Sequence, residues 1–234
     1  PSGYSIAADG SISVPATAAA GPVSLTYQLC EQASPANCDT ANVLLLVGPN
    51  AVDDSYAVQA GAQLVGNVRD NDNYVVDSTF TQTGTGPTQG TLQLLGDGSF
   101  TYTANAGATG TDTFSYQLCL PAPNGAVCDT ATVTLNINAS VIDAVADDFT
   151  ATPAPAQTGG ALATSVLAND TFDGNPVVAA NLTTTLITAP AGYVMSPAGI
   201  ITVPAGASAG AVTLAYRICV TSAPTLCDTA NVQL

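Results

Sequence analysis

Six cysteines and a surplus of carboxylates are the side chains of this sequence best placed for covalent or metal chemistry. The cysteines form three close pairs, Cys30/Cys38, Cys119/Cys128 and Cys219/Cys227. Zinc ribbons place their cysteines about two residues apart and often add His, and this chain has no His. Three local disulfides are therefore the better reading. The alternative, three pairs of buried free thiols, sits poorly with such regular placement. Disulfides persist in oxidising compartments, so a secreted or cell-surface, extracellular protein is expected.

Acidic residues number 17 against two basic ones, Arg69 and Arg217, for a net charge of −15. Nucleic acid and anionic lipid both require basic patches, so neither is expected as a partner. The acidic residues have two readings. One is a solvated surface that stays soluble by self-repulsion. The other is cation binding. Asp53, Asp54, Asp70, Asp72 and Asp129 form one candidate group, and Asp147, Asp148, Asp170, Asp173 and Asp228 form a second. Ca²⁺ prefers flexible oxygen ligands of this kind, so it is the one cofactor the sequence raises. The structural alternative is that these aspartates cap turns and strand ends through their own backbone. No Asp-x-Asp-x-Asp-Gly loop with a closing Glu is present, which excludes an EF-hand.

Catalytic chemistry has few candidates. Without His there is no Ser-His-Asp or Cys-His unit, and without Lys there is no Schiff base or Ser-Lys mechanism. A glycosidase needs two carboxylates facing one another across a cleft, and nothing in the sequence pairs two in that way. The expectation is that the chain is not an enzyme. The absence of Trp weakens a sugar-stacking platform, although Tyr can substitute for it. The triplets Asn138-Ala-Ser140, Asn169-Asp-Thr171 and Asn181-Leu-Thr183 fit the glycosylation sequon, but such triplets arise by chance in a Thr-rich chain.

The elements that position these residues emerge from an internal repeat. Tyr27-Gln-Leu-Cys30 recurs as Tyr116-Gln-Leu-Cys119 and Tyr216-Arg-Ile-Cys219. Cys38-Asp-Thr-Ala-Asn-Val recurs as Cys128-Asp-Thr-Ala-Thr-Val and as Cys227-Asp-Thr-Ala-Asn-Val. Ala51-Val-Asp-Asp-Ser-Tyr56 matches Ala144-Val-Ala-Asp-Asp-Phe149, and Gly66-Asn-Val-Arg-Asp-Asn-Asp72 matches Val166-Leu-Ala-Asn-Asp170. Complete modules are thus expected at residues 49–139 and 140–234. Residues 1–48 match only the second half of a module, with Pro1-Ser-Gly-Tyr4 aligning to Pro190-Ala-Gly-Tyr193. Their opening strands are expected either from preceding polypeptide or from another chain.

Strand signals fill each module. Thr113-Phe-Ser-Tyr-Gln-Leu-Cys119 and Ala131-Thr-Val-Thr-Leu-Asn-Ile137 alternate apolar and polar residues, the period of a half-buried strand. Gly96-Asp-Gly98 joins two more strands as a hairpin turn. No segment has a helical period, and no apolar run reaches 18 residues, so no membrane span is expected. Six or seven short strands per module predict an all-β fold of tandem immunoglobulin-like antiparallel sandwiches. In that topology Asp53, Asp54, the loop at 70–73 and the Cys119–Cys128 hairpin gather at one pole.

The succession Ala-x-Asp-Asp-x-Tyr, Asn-Asp, Asp-Gly-Ser-Phe-Thr-Tyr and Thr-Asp-Thr-Phe-Ser-Tyr resembles the bacterial cadherin-like and immunoglobulin-like tandem repeats of large adhesins and biofilm-associated surface proteins. Residues 51–137 carry it best. In residues 144–234 it drifts: Gly199-Ile-Ile stands for Gly98-Ser-Phe, and Ala211-Val-Thr-Leu for the Asp-Thr-Phe segment. The resemblance implies a structural repeat of a surface fibre, stalk or adhesin, with neighbouring copies or modules as partners. The alternatives are a filament subunit completed by a neighbouring chain, and a module that binds a glycan or host protein through its loops.

Overall fold

The computed structural model describes residues 1–152 and 158–234. The chain forms two compact units, Pro1–Asn138 and Ala139–Leu234. Both are built of strands; the one helical element among the described residues is a single 3₁₀ turn at Ala179–Asn181.

In the first unit the strands are β1 (Ser5–Ile6), β2 (Ile12–Ser13), β3 (Gly21–Glu31), β4 (Ser34–Val47), β5 (Asp54–Gln59), β6 (Gln63–Asn67), β7 (Thr79–Thr83), β8 (Gly90–Leu94), β9 (Ser99–Ala104), β10 (Gly110–Cys119) and β11 (Cys128–Asn138). Strands β5 to β11 close one sandwich. One sheet has the order β5-β11-β10-β7 and the other β6-β9-β8. The alternating pattern sends Phe114, Tyr116 and Leu118 of β10 and Val133, Leu135 and Ile137 of β11 into the core, as a period of two requires. Phe100 and Tyr102 enter from the facing sheet. Phe100 meets Phe114 edge-on at 5.5 Å and Tyr56 at 5.2 Å, the geometry favoured by ring quadrupoles. Gly66 is required beneath this cluster, because a Cβ there would lie 2.5 Å from the Phe100 ring. Gly98 closes the β8–β9 turn at φ 86°, backbone that favours glycine.

Every ladder of this sandwich is antiparallel except one. Strand β5 runs parallel to β11, from Asp54 opposite Val133 to Gln59 opposite Asn138. The chain thus enters at one pole and leaves at the other.

Residues 1–48 are arranged differently. Strands β1 and β2 form a two-stranded sheet, and β3 and β4 form another, in register from Gly21↔Val47 to Cys30↔Cys38. This part joins residues 49–138 through Asn73, whose Nδ2 donates to the Ala18 carbonyl at 2.7 Å while its Oδ1 accepts from the Ala20 N–H at 3.2 Å.

The second unit holds β12 (Ile142–Asp143), β13 (Asp147–Asp148), β14 (Gly160–Ala161), β15 (Thr171–Phe172), β16 (Asn175–Pro176), β17 (Leu182–Thr188), β18 (Val194–Met195), β19 (Ile201–Val203), β20 (Thr213–Val220) and β21 (Ala223–Gln233). Its principal sheets repeat the plan, as β13-β21-β20-β17 and β14-β19-β18. Again the opening strand β13 lies parallel to the last strand, β21. Leu214, Tyr216, Ile218, Val232, Val166 and Ile201 fill the core. Both sandwiches are the all-β, immunoglobulin-like arrangement read from the sequence.

All three cysteine pairs are disulfides closing the hairpin between the last two strands: Cys30–Cys38, Cys119–Cys128 and Cys219–Cys227. Each cross-link spans eight or nine residues of sequence, and closing so short a loop stabilises by about 2–3 kcal/mol on the chain-entropy model. Replacing Cys119 and Cys128 together by Ser is expected to lower the stability of residues 49–139 by that amount in a denaturant titration. An unchanged midpoint would show that the bridge constrains nothing that the strands do not already fix.

Candidate functional site

The same polar cluster is built twice, from residues far apart in sequence and at one pole of each sandwich. In the first, the Tyr116 hydroxyl points from β10 into the core end and donates to Asp72, lying 2.9 and 2.8 Å from its two carboxylate oxygens. The Val52 and Val68 carbonyls lie 3.3 Å from the same hydroxyl. Asp72 also accepts the Val52 N–H at 2.7 Å, and Asn71 Nδ2 donates to the Asp53 carbonyl at 3.1 Å. Asp129, beside the disulfide, accepts the Ala51 N–H at 3.0 Å, and Asp53 accepts the Thr132 N–H at 2.8 Å. These bonds tie the segment that opens the module to its last hairpin.

The second unit repeats these bonds except the one to the Thr132 N–H, since Ala146 stands in the place of Asp53. The Tyr216 hydroxyl lies 2.8 and 3.0 Å from the oxygens of Asp170 and 3.2 Å from the Val145 and Val166 carbonyls. Asp170 accepts the Val145 N–H at 2.7 Å, Asp228 accepts the Ala144 N–H at 2.9 Å, and Asn169 Nδ2 donates to Val145 and Ala146.

A second carboxylate stands beside each tyrosine–aspartate pair, Asp54 in one module and Asp147 in the other. The Oδ2 of each is buried without a hydrogen-bond partner. Burial, then the charges of Asp72, Asp70 and Asp53, pushes the Asp54 carboxyl up to about 7. Burial and the Asp170 charge push Asp147 up to about 7 as well. Desolvation penalises the charged form, and a second carboxylate nearby adds to it. Asp72 and Asp170 are raised by burial too, against the opposing pull of the Val52 and Val145 N–H groups and the tyrosine hydroxyls.

The remaining candidates from the sequence lie outside the hydrogen-bonded clusters, although the Asp70 charge acts on Asp54. Asp70 is exposed in the loop after β6. Asp148 caps its own turn, accepting from the Thr150 N–H and hydroxyl at 2.9 and 2.6 Å. Asp173 accepts the Val141 N–H at 2.8 Å. The structure therefore brings Asp54 together with Asp72, and Asp147 with Asp170, around a tyrosine. Among the described residues no three carboxylate, thiol or imidazole groups converge as metal ligands. Ca²⁺ takes six to eight oxygens, and here both oxygens of Asp72 and of Asp170 and one each of Asp53, Asp129 and Asp228 are engaged by N–H and O–H donors.

Sequence reasoning missed the tyrosines. Their signal was present, since Tyr27, Tyr116 and Tyr216 recur in phase with the aspartates. It also missed a second buried pair in the first unit. Asp112 accepts the Thr88, Gln89 and Thr113 N–H groups at 2.9, 2.7 and 3.0 Å and the Tyr102 hydroxyl at 2.9 Å. Burial works to raise its carboxyl, but these four donors hold it below the usual range. By the alignment of the repeats Val212 and Val203 take the places of Asp112 and Tyr102, so the second unit has an apolar pair there.

Residues 47–139 match the profile of the bacterial cadherin-like domain. No curated protein matches the chain. Similar solved structures include the endo-fucoidan hydrolase MfFcnA4 of glycoside hydrolase family 107, at 14 % identity and TM-score 0.34 over 100 % of this chain and 37 % of that one. They also include the protocadherin gammaB7 EC3-6 cis-dimer, at 15 % identity and TM-score 0.33 over 92 % of this chain and 60 % of that one. Chicken VE-cadherin EC1-2 follows at 11 % and 0.31, covering 77 % of this chain and 97 % of that one. The chain thus spans 37 % of the hydrolase's length. These matches correct the expectation that the chain is not an enzyme. Similar structures include ones titled as endo-fucoidan hydrolases, and the lack of His and Lys in these 234 residues describes this segment and does not exclude an enzyme. No helix among the described residues is long and apolar enough to cross a membrane.

Proposed function

We propose that the chain is a run of cadherin-like modules in an extracellular bacterial surface fibre, stalk or adhesin, with module limits at residues 1–48, 49–139 and 140–234. The observation that carries this reading is the parallel pairing of opening and closing strands, β5 with β11 and β13 with β21. Tension between the two ends of such a module loads that ladder in shear, so several hydrogen bonds must break together. The tyrosine–aspartate cluster and the disulfide reinforce the pole where the chain enters. Three disulfides and a bacterial cadherin-like domain fit an extracellular location.

Stretching the chain from its two ends tests the reading. One discrete unfolding event is expected for each complete module, and added reductant should lengthen each event by the residues the disulfide encloses. Gradual extension without discrete events would overturn it, in favour of a loop-mediated glycan- or protein-binding module. Repeating the pull with Ca²⁺ and with a chelator assigns the aspartates: equal forces mean that they fasten backbone, and a higher force with Ca²⁺ means that they hold the ion.

A further inference from the structure

The loop between β6 and β7 holds more than the core of its own sandwich. At Asp72 it fastens the Val52 N–H and the Tyr116 hydroxyl. The next residue, Asn73, faces residues 1–48. Its backbone exchanges two hydrogen bonds with Asn50, both at 2.9 Å. Its carboxamide spans the segment that leads into β3, where Oδ1 accepts the Ala20 N–H and Nδ2 donates to the Ala18 carbonyl. Gly21 and Val47 pair at the end of the β3–β4 ladder. One residue thus grips both segments at that end, the one entering β3 and the one leaving β4.

Packing closes around this grip. Ala18 and Ala20 are 7 % and 9 % exposed, although both lie in a connecting segment. Val75 lies so close to Gly21 that an added Cβ would come within 3.1 Å of its methyl group. Val127, between β10 and β11, lies 3.6 Å from where a Gly48 Cβ would be. Only Gly48 and Pro49 separate β4 from Asn50; Pro49 is buried, and its ring fixes φ. Parts of a chain joined by a small interface move relative to one another by default. Here the connection has no slack and is pinned at a second point by Ala18 and Ala20. Rotation about the connection would break the bonds of the Asn73 amide.

We propose that Asn73 is the centre of a locking joint that holds residues 1–48 in one orientation on residues 49–138, by hydrogen bonds and not by a bridging ion. The chemistry is that of a carboxamide. It must accept from one backbone group and donate to another two residues away, and an ionised carboxylate has no donor. Both ends of the amide are spent on protein partners, so the lock leaves no part for an ion. The fold itself does not require it. In the second unit the backbone pair persists as Asp143 with Thr171, but Thr171 has no carboxamide.

Residual dipolar couplings of the whole chain test the joint. In the wild type one alignment tensor is expected to fit the amides of residues 21–47 and 54–138 together, equally in Ca²⁺ and in chelator. Asn73→Ala should require two tensors. It should also speed exchange of the Ala20 amide about tenfold or more, the scale of one lost hydrogen bond. Asn73→Asp should require two tensors as well, because its carboxylate would face the Ala18 carbonyl with no proton to share. Unchanged shifts of the Tyr116 and Val133 amides show that the sandwich is intact in each variant. If Asn73→Ala disturbs them, Val75→Ala, which only thins the contact with Gly21, takes its place and should also separate the tensors. Two tensors in the wild type, or one in a variant with an intact sandwich, overturns the lock. A single tensor found only in Ca²⁺ overturns it too, since an ion would then be the fastening. Such a failure leaves the fibre reading standing, because pulling reads the strands within each module and this experiment reads the angle between residues 1–48 and 49–138.

Discussion

Replacing Asp112 by Ala is expected to destabilise residues 49–139 by about 3–5 kcal/mol, because each buried donor left without a partner costs about 1–3 kcal/mol and several lose theirs together. Asp112 is 6 % exposed and accepts hydrogen bonds from three backbone N–H groups, from the Tyr102 hydroxyl and, at 3.5 Å, from the Thr88 hydroxyl. The substitution would leave those donors unsatisfied, with the Tyr102 hydroxyl fully enclosed. A pH signature accompanies the loss. The Asp112 carboxyl lies below its ordinary value in the folded chain. Its contribution is therefore present above the unfolded value of about 4 and disappears as the pH falls through the folded one. Denaturant unfolding of the wild type should show stability declining below pH 4, and the Ala variant should show less of that decline. The second unit, with Val203 and Val212 in the equivalent places, should keep its midpoint in both proteins. A change of under 1 kcal/mol would mean that water satisfies those donors.

Much of this fold was legible because its signals are local. The alternation through Phe114, Tyr116 and Leu118, the Gly96-Asp-Gly98 turn and the spacing of each cysteine pair all act within a few residues. The repeat then aligned them in phase. Chain direction was not legible: a strand's alternation is the same whether its neighbour runs parallel or antiparallel, so the pairing of β5 with β11 left no mark. Short strands such as β13 and β14, two residues each, are too brief for any period. Of the site, the aspartates were found through their composition, but their partner was hidden. Tyr116 reaches Asp72 across 44 residues of sequence and Tyr216 reaches Asp170 across 46, and a tyrosine in an alternating strand reads as core. The enzyme question failed for a different reason, since what a segment lacks says nothing of the protein that carries it.

The second large effect should come from Asp147, and it runs opposite in sign to that of Asp112. Asp147 is 9 % exposed, one of its oxygens lacks a partner, and its carboxyl is pushed up to about 7. Asp170 and Tyr216 face it directly, Asn169 lies alongside, and Asp143 and Asp228 add negative charge around Asp170. Between pH 4 and 7 the folded chain therefore holds a proton that the unfolded chain has released. Stability is greatest at the acid side of that window and falls as the pH rises through it, because the native state binds more protons there. At about 1.4 kcal/mol per pH unit, the loss across the window is on the order of 2–4 kcal/mol for so buried a group. Asp54 should add a smaller effect of the same sign in the first unit, since it is more accessible to solvent. Asp147→Asn is neutral in both states and keeps an oxygen in place, so it should flatten the profile of the second unit and raise its stability at pH 8. Self-repulsion in a chain of net charge −15 would also favour acid conditions. That effect is spread over the whole surface and would survive a single substitution almost unchanged. A second-unit profile that keeps its slope in Asp147→Asn would assign the pH dependence to the surface charge and remove Asp147 as its source.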